Sequence, residues 1–175
     1  MKPIGMLREE HDIIDKMISR LKKERKKIMK KERVDPVFID TAVDFFQTYA
    51  DKTHHGKEED ILFAELEKKQ LKPKDREVMN ELMDDHKFAR KKVQALKEEK
   101  EKYVEGEDEA LSEILNKFEV LIKLYPPHIE EEDGTFLPNS MKYFSEEELD
   151  DMLDRFREFD RNMIHEKYRE TANSD

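Results

Sequence analysis

The sequence predicts an all-α protein, and three observations support this fold class. Apolar residues recur at the three- and four-residue spacing of helices, and no cluster of β-branched residues shows the alternation of a half-buried strand. The 4 glycines and 6 prolines stand at plausible helix ends and bends. We therefore interpret the 45% of charged residues as the solvated faces of amphipathic helices, in a chain of 175 residues that is long enough for a sizeable core.

Five helices are predicted from the apolar periodicity and from residues that typically begin or end helices. Asp35 is a typical N-cap residue, and Gly106 is a typical helix end. Ser145 and Glu148 form a capping box that begins the last helix. The predicted helices cover about residues 3–31, 36–69, 76–105, 107–138 and 145–169.

Charge and composition exclude several classes of protein. The formal net charge of -10 has the wrong sign for tracking nucleic acid phosphates, so we expect no nucleic acid partner. No run of about 20 apolar residues is present, and the N-terminus lacks the apolar segment of a signal peptide. We therefore expect a cytoplasmic protein without a membrane partner. The chain contains no cysteine, so any bound metal must be held by nitrogen and oxygen.

Four of the predicted helices carry an apolar stripe, and each stripe contains a histidine. On two of them a glutamate follows the histidine by four residues, which places both side chains on one helix face. Burying an unpaired carboxylate is costly, so glutamates inside apolar stripes indicate a bound cation. The candidate metal ligands are His11, His54, Glu58, His86, His128 and Glu132.

The spacing of these candidates repeats along the chain. In the first two helices 43 residues separate the histidines, and in the next two 42 residues separate them. Two such hairpins placed face to face predict a dinuclear site, with metals about 3.5–4 Å apart. Imidazole and carboxylate ligands suit iron, manganese, zinc or nickel, and the spacing does not choose among them. The alternative, four core histidines and two surface glutamates without metal, requires the whole pattern to be accidental.

These motifs resemble those of the hemerythrin-like, or HHE cation-binding, family over about residues 5–138. Two His-x-x-x-Glu motifs followed by Leu-Phe or Phe-Leu-Pro are specific in combination. The matching segments are HDIID at 11–15, HHGKEEDILF at 54–63, DHKFAR at 85–90, YPPHIEEED at 125–133 and FLP at 136–138.

The resemblance implies both a fold and a metal centre. The expected fold is an up-down four-helix bundle over residues 1–140, followed by a C-terminal helix over residues 141–175 that packs on the bundle or extends it. The expected centre is a non-haem di-iron site in which Glu58 and Glu132 bridge the ions and the four histidines cap them. We expect two metal ions, iron first and zinc, manganese or nickel otherwise, bridged by an oxo or hydroxo group or by water.

The chain departs from the oxygen-carrying members of the family at two positions. Their third helix has a His-x-x-x-His pair, whereas the second of these positions is Arg90 here. They also use an aspartate five residues after the last histidine, and Asp133 has that spacing. We prefer Glu132 because it continues the apolar stripe and mirrors Glu58. With fewer histidines, the site has more open coordination positions.

Several neighbouring residues are assigned from their positions. His55 lies about 100° around an α-helix from the preceding ligand, so we expect it beside the site or on the surface and not as a ligand. Glu59 is expected to point away as well. His165 is expected to pack at the rim, and Tyr125 either hydrogen-bonds at the site or fills the core.

Three functions are compatible with the sequence. The first is a di-iron protein that binds or senses oxygen, nitric oxide or peroxide, or handles iron. The second is a di-iron enzyme that reduces peroxide or nitric oxide, although the sequence identifies no general base or substrate pocket. The third is a structural or interaction bundle without a functional metal, whose stability would be indifferent to chelators.

Overall fold

The computed structural model describes residues 2–173, apart from the side chains of Tyr168, Glu170 and Thr171, and all regular structure in this range is helical. The predicted all-α class is confirmed. Residues 1, 174 and 175, the extremes of the two predicted domains, lie outside the described range. The helical runs are α1 (Pro3–Lys31), α2 (36–67), α3 (Pro73–Glu105), α4 (110–140) and α5 (Glu146–Asn173), with a 3₁₀ turn at Met141–Tyr143.

The residues that were expected to cap the helices do so. Asp35 Oδ1 accepts a hydrogen bond of 3.0 Å from Val37 N at the start of α2. Gly106 ends α3 with a left-handed φ of 91°, a conformation that glycine adopts without strain. At the start of α5, Ser145 N donates to Glu148 Oε2 at 2.8 Å and Glu148 N donates to Ser145 Oγ at 3.2 Å. These local contacts explain why the predicted helix bounds lie close to the observed ones.

Three π-helical segments interrupt α2 and α4, and the candidate ligands on these two helices lie in or beside them. The α-helical geometry that we used to orient side chains there was therefore wrong. A π-helix has i→i+5 hydrogen bonds and a wider turn, and such segments are frequent at functional sites. The run α2 consists of Pro36–Asp44, π-helical Phe45–His55 and Glu58–Phe63, and Ala64–Glu67, whereas α4 consists of Ala110–Glu131, π-helical Glu132–Phe136 and Leu137–Ser140.

Two hydrophobic clusters fill the bundle, one on each side of the candidate ligands. On α1 and α3 the smaller cluster precedes the histidine, and on α2 and α4 it follows the histidine, so consecutive helices run in opposite directions. The predicted up-down four-helix bundle is therefore confirmed. From α1 to α4, the larger cluster includes Ile14, Ala50, Ala89 and Leu121, and the smaller includes Leu7, Leu62, Met79 and Phe136.

The C-terminal helix α5 packs on α1 and α2. Its residues Met152 and Phe156 belong to the smaller hydrophobic cluster. The division into a domain of residues 1–140 and a C-terminal helix of residues 141–175 stays a prediction. No helix in the described part of the chain combines the length and the apolar character that crossing a membrane requires.

Candidate metal centre

The six candidate ligands lie together in the bundle interior, between the two hydrophobic clusters. Each of the four helices of the bundle contributes a histidine, and α2 and α4 also contribute the glutamates. Since every one of these side chains is buried, the polar groups must find partners inside the protein. The exposed fractions are 1% for His11, 1% for His54, 0% for Glu58, 0% for His86, 6% for His128 and 0% for Glu132.

Each glutamate faces imidazole nitrogens from two different hairpins. Glu58 Oε1 lies 3.6 Å from His54 Nε2, and Glu58 Oε2 lies 3.5 Å from His86 Nε2. Glu132 Oε2 lies 3.1 Å from His11 Nε2, and Glu132 Oε1 lies 3.3 Å from His128 Nε2. Each carboxylate therefore has one oxygen beside a histidine of the first hairpin and the other beside a histidine of the second.

Most of the inward-facing atoms have no hydrogen-bond partner among the described residues. These are both carboxylate oxygens of Glu58 and Glu132, and Nε2 of His86 and His128. A buried polar atom left in this way costs about 1–3 kcal/mol, and more if charged. The remaining pair, His11 Nε2 and His54 Nε2, lie 3.0 Å apart, which is a hydrogen-bond distance. A donor set of imidazole nitrogens and carboxylate oxygens fits divalent transition-metal ions.

The opposite side of every ligand histidine contacts a carboxylate. In each case the carboxylate oxygen accepts from Nδ1–H, which leaves Nε2 free to bind a metal, the usual arrangement around metal-bound histidine. The pairs are His11 Nδ1 with Asp133 at 3.0 Å, His54 Nδ1 with Glu10 at 2.8 Å, His86 Nδ1 with Glu59 at 2.8 Å, and His128 Nδ1 with Asp85 at 3.1 Å.

Sequence reasoning missed the role of these carboxylates. Glu59 lies outside the inner cluster, as expected, but its contact with His86 was not predicted. A signal was nevertheless present. Each of the four supporting carboxylates is adjacent in sequence to a candidate ligand of its own helix, and each supports a histidine of a different helix. A carboxylate next to every ligand stripe is therefore a pattern that a sequence search could have used.

The geometry distinguishes Asp133 from Glu132. The side chain of Glu132 is fully buried with both oxygens in the cluster, whereas that of Asp133 is 32% exposed and contacts His11 Nδ1. Arg8 also lies 3.4 Å from Asp133 Oδ1. Asp133 therefore supports a ligand from behind, and Glu132 occupies the position between the histidines.

Arg90, at the position where the oxygen carriers have a histidine, lies behind the histidines. Its Nη2 donates to Glu59 Oε1 at 2.7 Å, and its Nε donates to Asp51 Oδ1 at 2.6 Å. Glu59 in turn accepts from His86. The guanidinium thus fixes two carboxylates and points away from the inner cluster.

His55 is buried, which excludes the surface position considered for it from the sequence. Its ring stacks on that of His86, with centroids 3.8 Å apart and an interplanar angle of 12°. A donor nitrogen of His55 also lies within 4.8 Å of donors from His86 and His128. An imidazole lone pair lies in the ring plane, and two parallel stacked rings have no common plane in which one ion could lie. In this conformation His55 therefore orients His86 and is not placed to share an ion with it.

Tyr125 and His165 have environments that narrow their roles. Tyr125 is buried, and its ring packs 5.2 Å from that of Phe46, which favours the core-filling role. Burial raises the pKa of its hydroxyl above the ordinary value. His165 is exposed on α5, outside the buried cluster, in agreement with the expected rim position.

The carboxylates favour positive charge on two of the histidines. Burial opposes a charged ring at His11, but the close approach and the charge of Glu132 outweigh it and raise the pKa of His11 to about 9. Burial also opposes charge at His128, whose pKa the charge of Glu132 raises to about 10. At His54 burial prevails and lowers the pKa to about 4.

The pKa values of the two glutamates are shifted in opposite directions. Burial, together with the charge of Glu132, raises the pKa of Glu58 well above its ordinary value. Burial also acts to raise the pKa of Glu132, but the neighbouring imidazoles, His128 first, lower it well below its ordinary value. Two carboxylates in one buried volume cannot both be charged cheaply unless cations lie between them.

Taken with the fold, this donor set defines the class of the protein as a helical cation-binding protein. The family model described as Hemerythrin HHE cation binding domain matches residues 2–140. The chain therefore belongs to this family, in agreement with the resemblance of its motifs. The comparison with curated proteins finds no significant match, and neither does the comparison with solved structures.

Proposed function

We propose that this chain binds two iron ions in the cluster and uses them to bind or sense a small ligand such as oxygen, nitric oxide or peroxide. The observation that carries this proposal is the buried pair Glu58 and Glu132. All four of their oxygens lack a hydrogen-bond partner among the described residues, and they face imidazoles from both hairpins. Cations between the hairpins would satisfy these atoms.

The donors form two half-sites. The first half-site contains His11 and His54, and the second contains His86 and His128; each is completed by one oxygen from each glutamate. Four protein ligands leave positions open on an ion that accepts six, as is typical of non-haem iron centres that react with small molecules. Iron would supply the redox and ligand-binding chemistry, and the chain would orient the ligands and exclude water.

The surroundings of the second half-site favour a small ligand. A narrow void, with no room for a water molecule in this conformation, adjoins His86 and His128. Its other lining residues are His55, Asp85, Ala89, Leu124 and Tyr125. Apart from Asp85, its lining consists of rings and aliphatic groups, and its narrowness would exclude bulky substrates. We therefore place ligand entry on this side.

The test is a metal assay of protein purified from cells grown with iron, combined with its visible spectrum before and after exposure to air. We expect about two irons per chain and an absorption band that changes with oxygen. His54→Ala should lower the metal content, whereas His165→Ala, at an exposed site, should leave it unchanged. Far fewer than two metals per chain in the wild type, with no loss in His54→Ala, would contradict the proposal and favour a structural bundle.

A second candidate function is the reduction of peroxide or nitric oxide. It is favoured by the position of Arg90, whose side chain is held by Glu59 and Asp51 and supplies no ligand to the second half-site. Stopped-flow spectra of the iron-loaded protein with each ligand distinguish the two functions. A stable adduct supports binding or sensing, and repeated turnover supports catalysis.

A further inference from the structure

The C-terminal helix, which lies outside the matched residues 2–140, contacts the metal centre through a buried lysine. Lys57 lies on α2, one residue before Glu58, and its side chain is 0% exposed. Its Nζ donates to Asp160 Oδ1 of α5 at 2.6 Å and to Glu10 Oε1 of α1. Lysine is almost never fully buried unless it is paired, so these two carboxylates account for the burial of Lys57.

Glu10 connects this lysine to a candidate ligand. While its Oε1 accepts from Lys57, its Oε2 accepts from His54 Nδ1 at 2.8 Å. A chain of charged contacts therefore runs from Asp160 through Lys57 and Glu10 to His54. The side chain of Glu10 is 9% exposed, so the contacts to His54 and Lys57 are largely shielded from water.

We propose that Asp160 is a positioning residue of the metal centre and that docking of α5 and metal binding at the first half-site stabilise each other. This inference rests on the proposed function. Asp160 accepts a hydrogen bond from Lys57 and balances part of its positive charge. Glu10 is then free to hold His54 in the tautomer and orientation that a metal requires. Without Asp160, Lys57 would have Glu10 as its sole carboxylate among these contacts and would draw it away from His54.

Packing and charge at the α5 contact can be separated by mutation. Next to Lys57, Gly56 lies against Phe159, and a Cβ added at Gly56 would come within 2.8 Å of Phe159 Cζ. This contact packs α5 against α2 and involves none of the charged side chains. Asp160→Asn removes the charge at constant size and leaves the Phe159 contact in place.

The variant test measures iron release from the full-length, iron-loaded protein to an excess of a ferrous chelator. We expect Asp160→Asn to release one of its two irons at least tenfold faster than the wild type, with an altered visible spectrum, and Asp160→Glu to restore most of the wild-type rate. Asp154→Asn is the matched control, because Asp154 lies on α5 but is 77% exposed and pairs with Arg157 of the same helix. Release of both irons at the wild-type rate in Asp160→Asn would overturn the proposal.

A second measurement needs no variant and so does not depend on whether a mutant folds. Because coupling between two binding events is reciprocal, metal loading should slow backbone hydrogen exchange in the part of α5 around Asp160. Equal exchange in the loaded and unloaded wild type would overturn the proposal even if two irons are bound. If the wild type binds no iron at all, the proposed function fails, which is a different result.

Discussion

The two half-sites offer the same donors, but their surroundings differ. Behind the first half-site, Asp133 at His11 is 32% exposed, but His54 is supported by Glu10 and by the fully buried Lys57. Behind the second, the supporting groups are partly in water, with Asp85 42% and Arg90 35% exposed. A repeated ligand pattern has therefore been placed in two different environments.

The difference has a structural cause. Helix α5 packs on α1 and α2, which carry the first half-site, and covers the support of His54. The narrow void lies instead beside α3 and α4, next to His86 and His128. From this comparison we infer that the first half-site retains its metal tightly and that the second half-site binds the small ligand. Five predictions test this difference, from the largest expected effect to the smallest.

Glu58→Leu should affect both half-sites, because Glu58 has one oxygen facing His54 and the other facing His86. We expect far fewer than two metals per chain. The variant without metal should unfold at a higher temperature than the wild type without metal, because a buried carboxylate without partners, worth about 1–3 kcal/mol, has been removed. Metal analysis and thermal melts with and without chelator measure both effects.

The control for this prediction is Glu131→Leu, an exposed glutamate on the neighbouring face of α4, which should change neither property. Retention of two metals by Glu58→Leu would show that the glutamate does not bridge the half-sites. Loss of only one metal would sharpen the comparison by showing which half-site depends on Glu58.

Metal binding should depend steeply on pH, and equally in the two half-sites. The pKa of His11 is raised to about 9 and that of His128 to about 10, so each half-site has one histidine that must lose a proton to bind metal at neutral pH. We expect release of at least two protons per chain on loading, and affinity that rises by up to about tenfold per pH unit for each proton. Calorimetry in buffers of different ionisation enthalpy counts these protons.

The stability of the protein without metal should change with pH in the opposite direction. Since the folded-state pKa values of these two histidines lie above the ordinary 6.5, their contribution to stability is fully present below that pH and is lost as the pH rises through about 9 to 10. Chemical unfolding at several pH values measures this loss. The number of protons released on metal loading tests the same assignment. If His128→Ala releases as many protons as the wild type, the second half-site does not contain one protonated histidine.

Ala89→Leu should block ligand access at the second half-site by filling the narrow void that Ala89 lines. We expect two metals to be retained and ligand association to slow by on the order of tenfold, at a cost in stability of about 1–3 kcal/mol for the extra volume. Stopped-flow binding of nitric oxide measures the rate. Ala95→Leu, farther along α3, is the control, and an unchanged rate in Ala89→Leu would place ligand entry at the first half-site.

Substitution of His55 should have the smallest effect. His55→Phe keeps a ring stacked on His86 but removes the nitrogens, so we expect two metals and release rates within a few-fold of the wild type. His55→Ala, which also removes the stacking, should loosen the second half-site more. Loss of one metal in the phenylalanine variant would instead identify His55 as a ligand.

Most of the bundle could be predicted because its signals are local. The apolar stripes, Asp35 at the start of α2 and the Ser145–Glu148 capping box depend on residues a few positions apart, and these contacts form as expected. The six candidate ligands were found for the same reason, since each stands in a stripe that must face the interior. Their role as ligands is still a prediction that the metal assay tests.

The sequence could not decide whether His55 lies beside the site or on the surface, because the choice depends on backbone geometry. His55 ends the π-helical segment Phe45–His55, in which successive side chains are turned through a smaller angle than in an α-helix. Nothing in the apolar spacing distinguishes such a segment from an α-helix. The surface alternative for His55 therefore followed from the wrong helical geometry.

The sequence by itself determined the all-α class, the amphipathic helices and the repeated set of histidines and glutamates, because helical periodicity and the cost of burying carboxylates act at the level of single helices. Tertiary structure alone decided which further groups pair with the carboxylates behind the histidines. Lys57 and Asp160 are 103 residues apart in the chain, and their contact depends on how α5 docks. Because charge pairing across helices leaves no periodic signal, the asymmetry between the two half-sites is visible only in the folded protein.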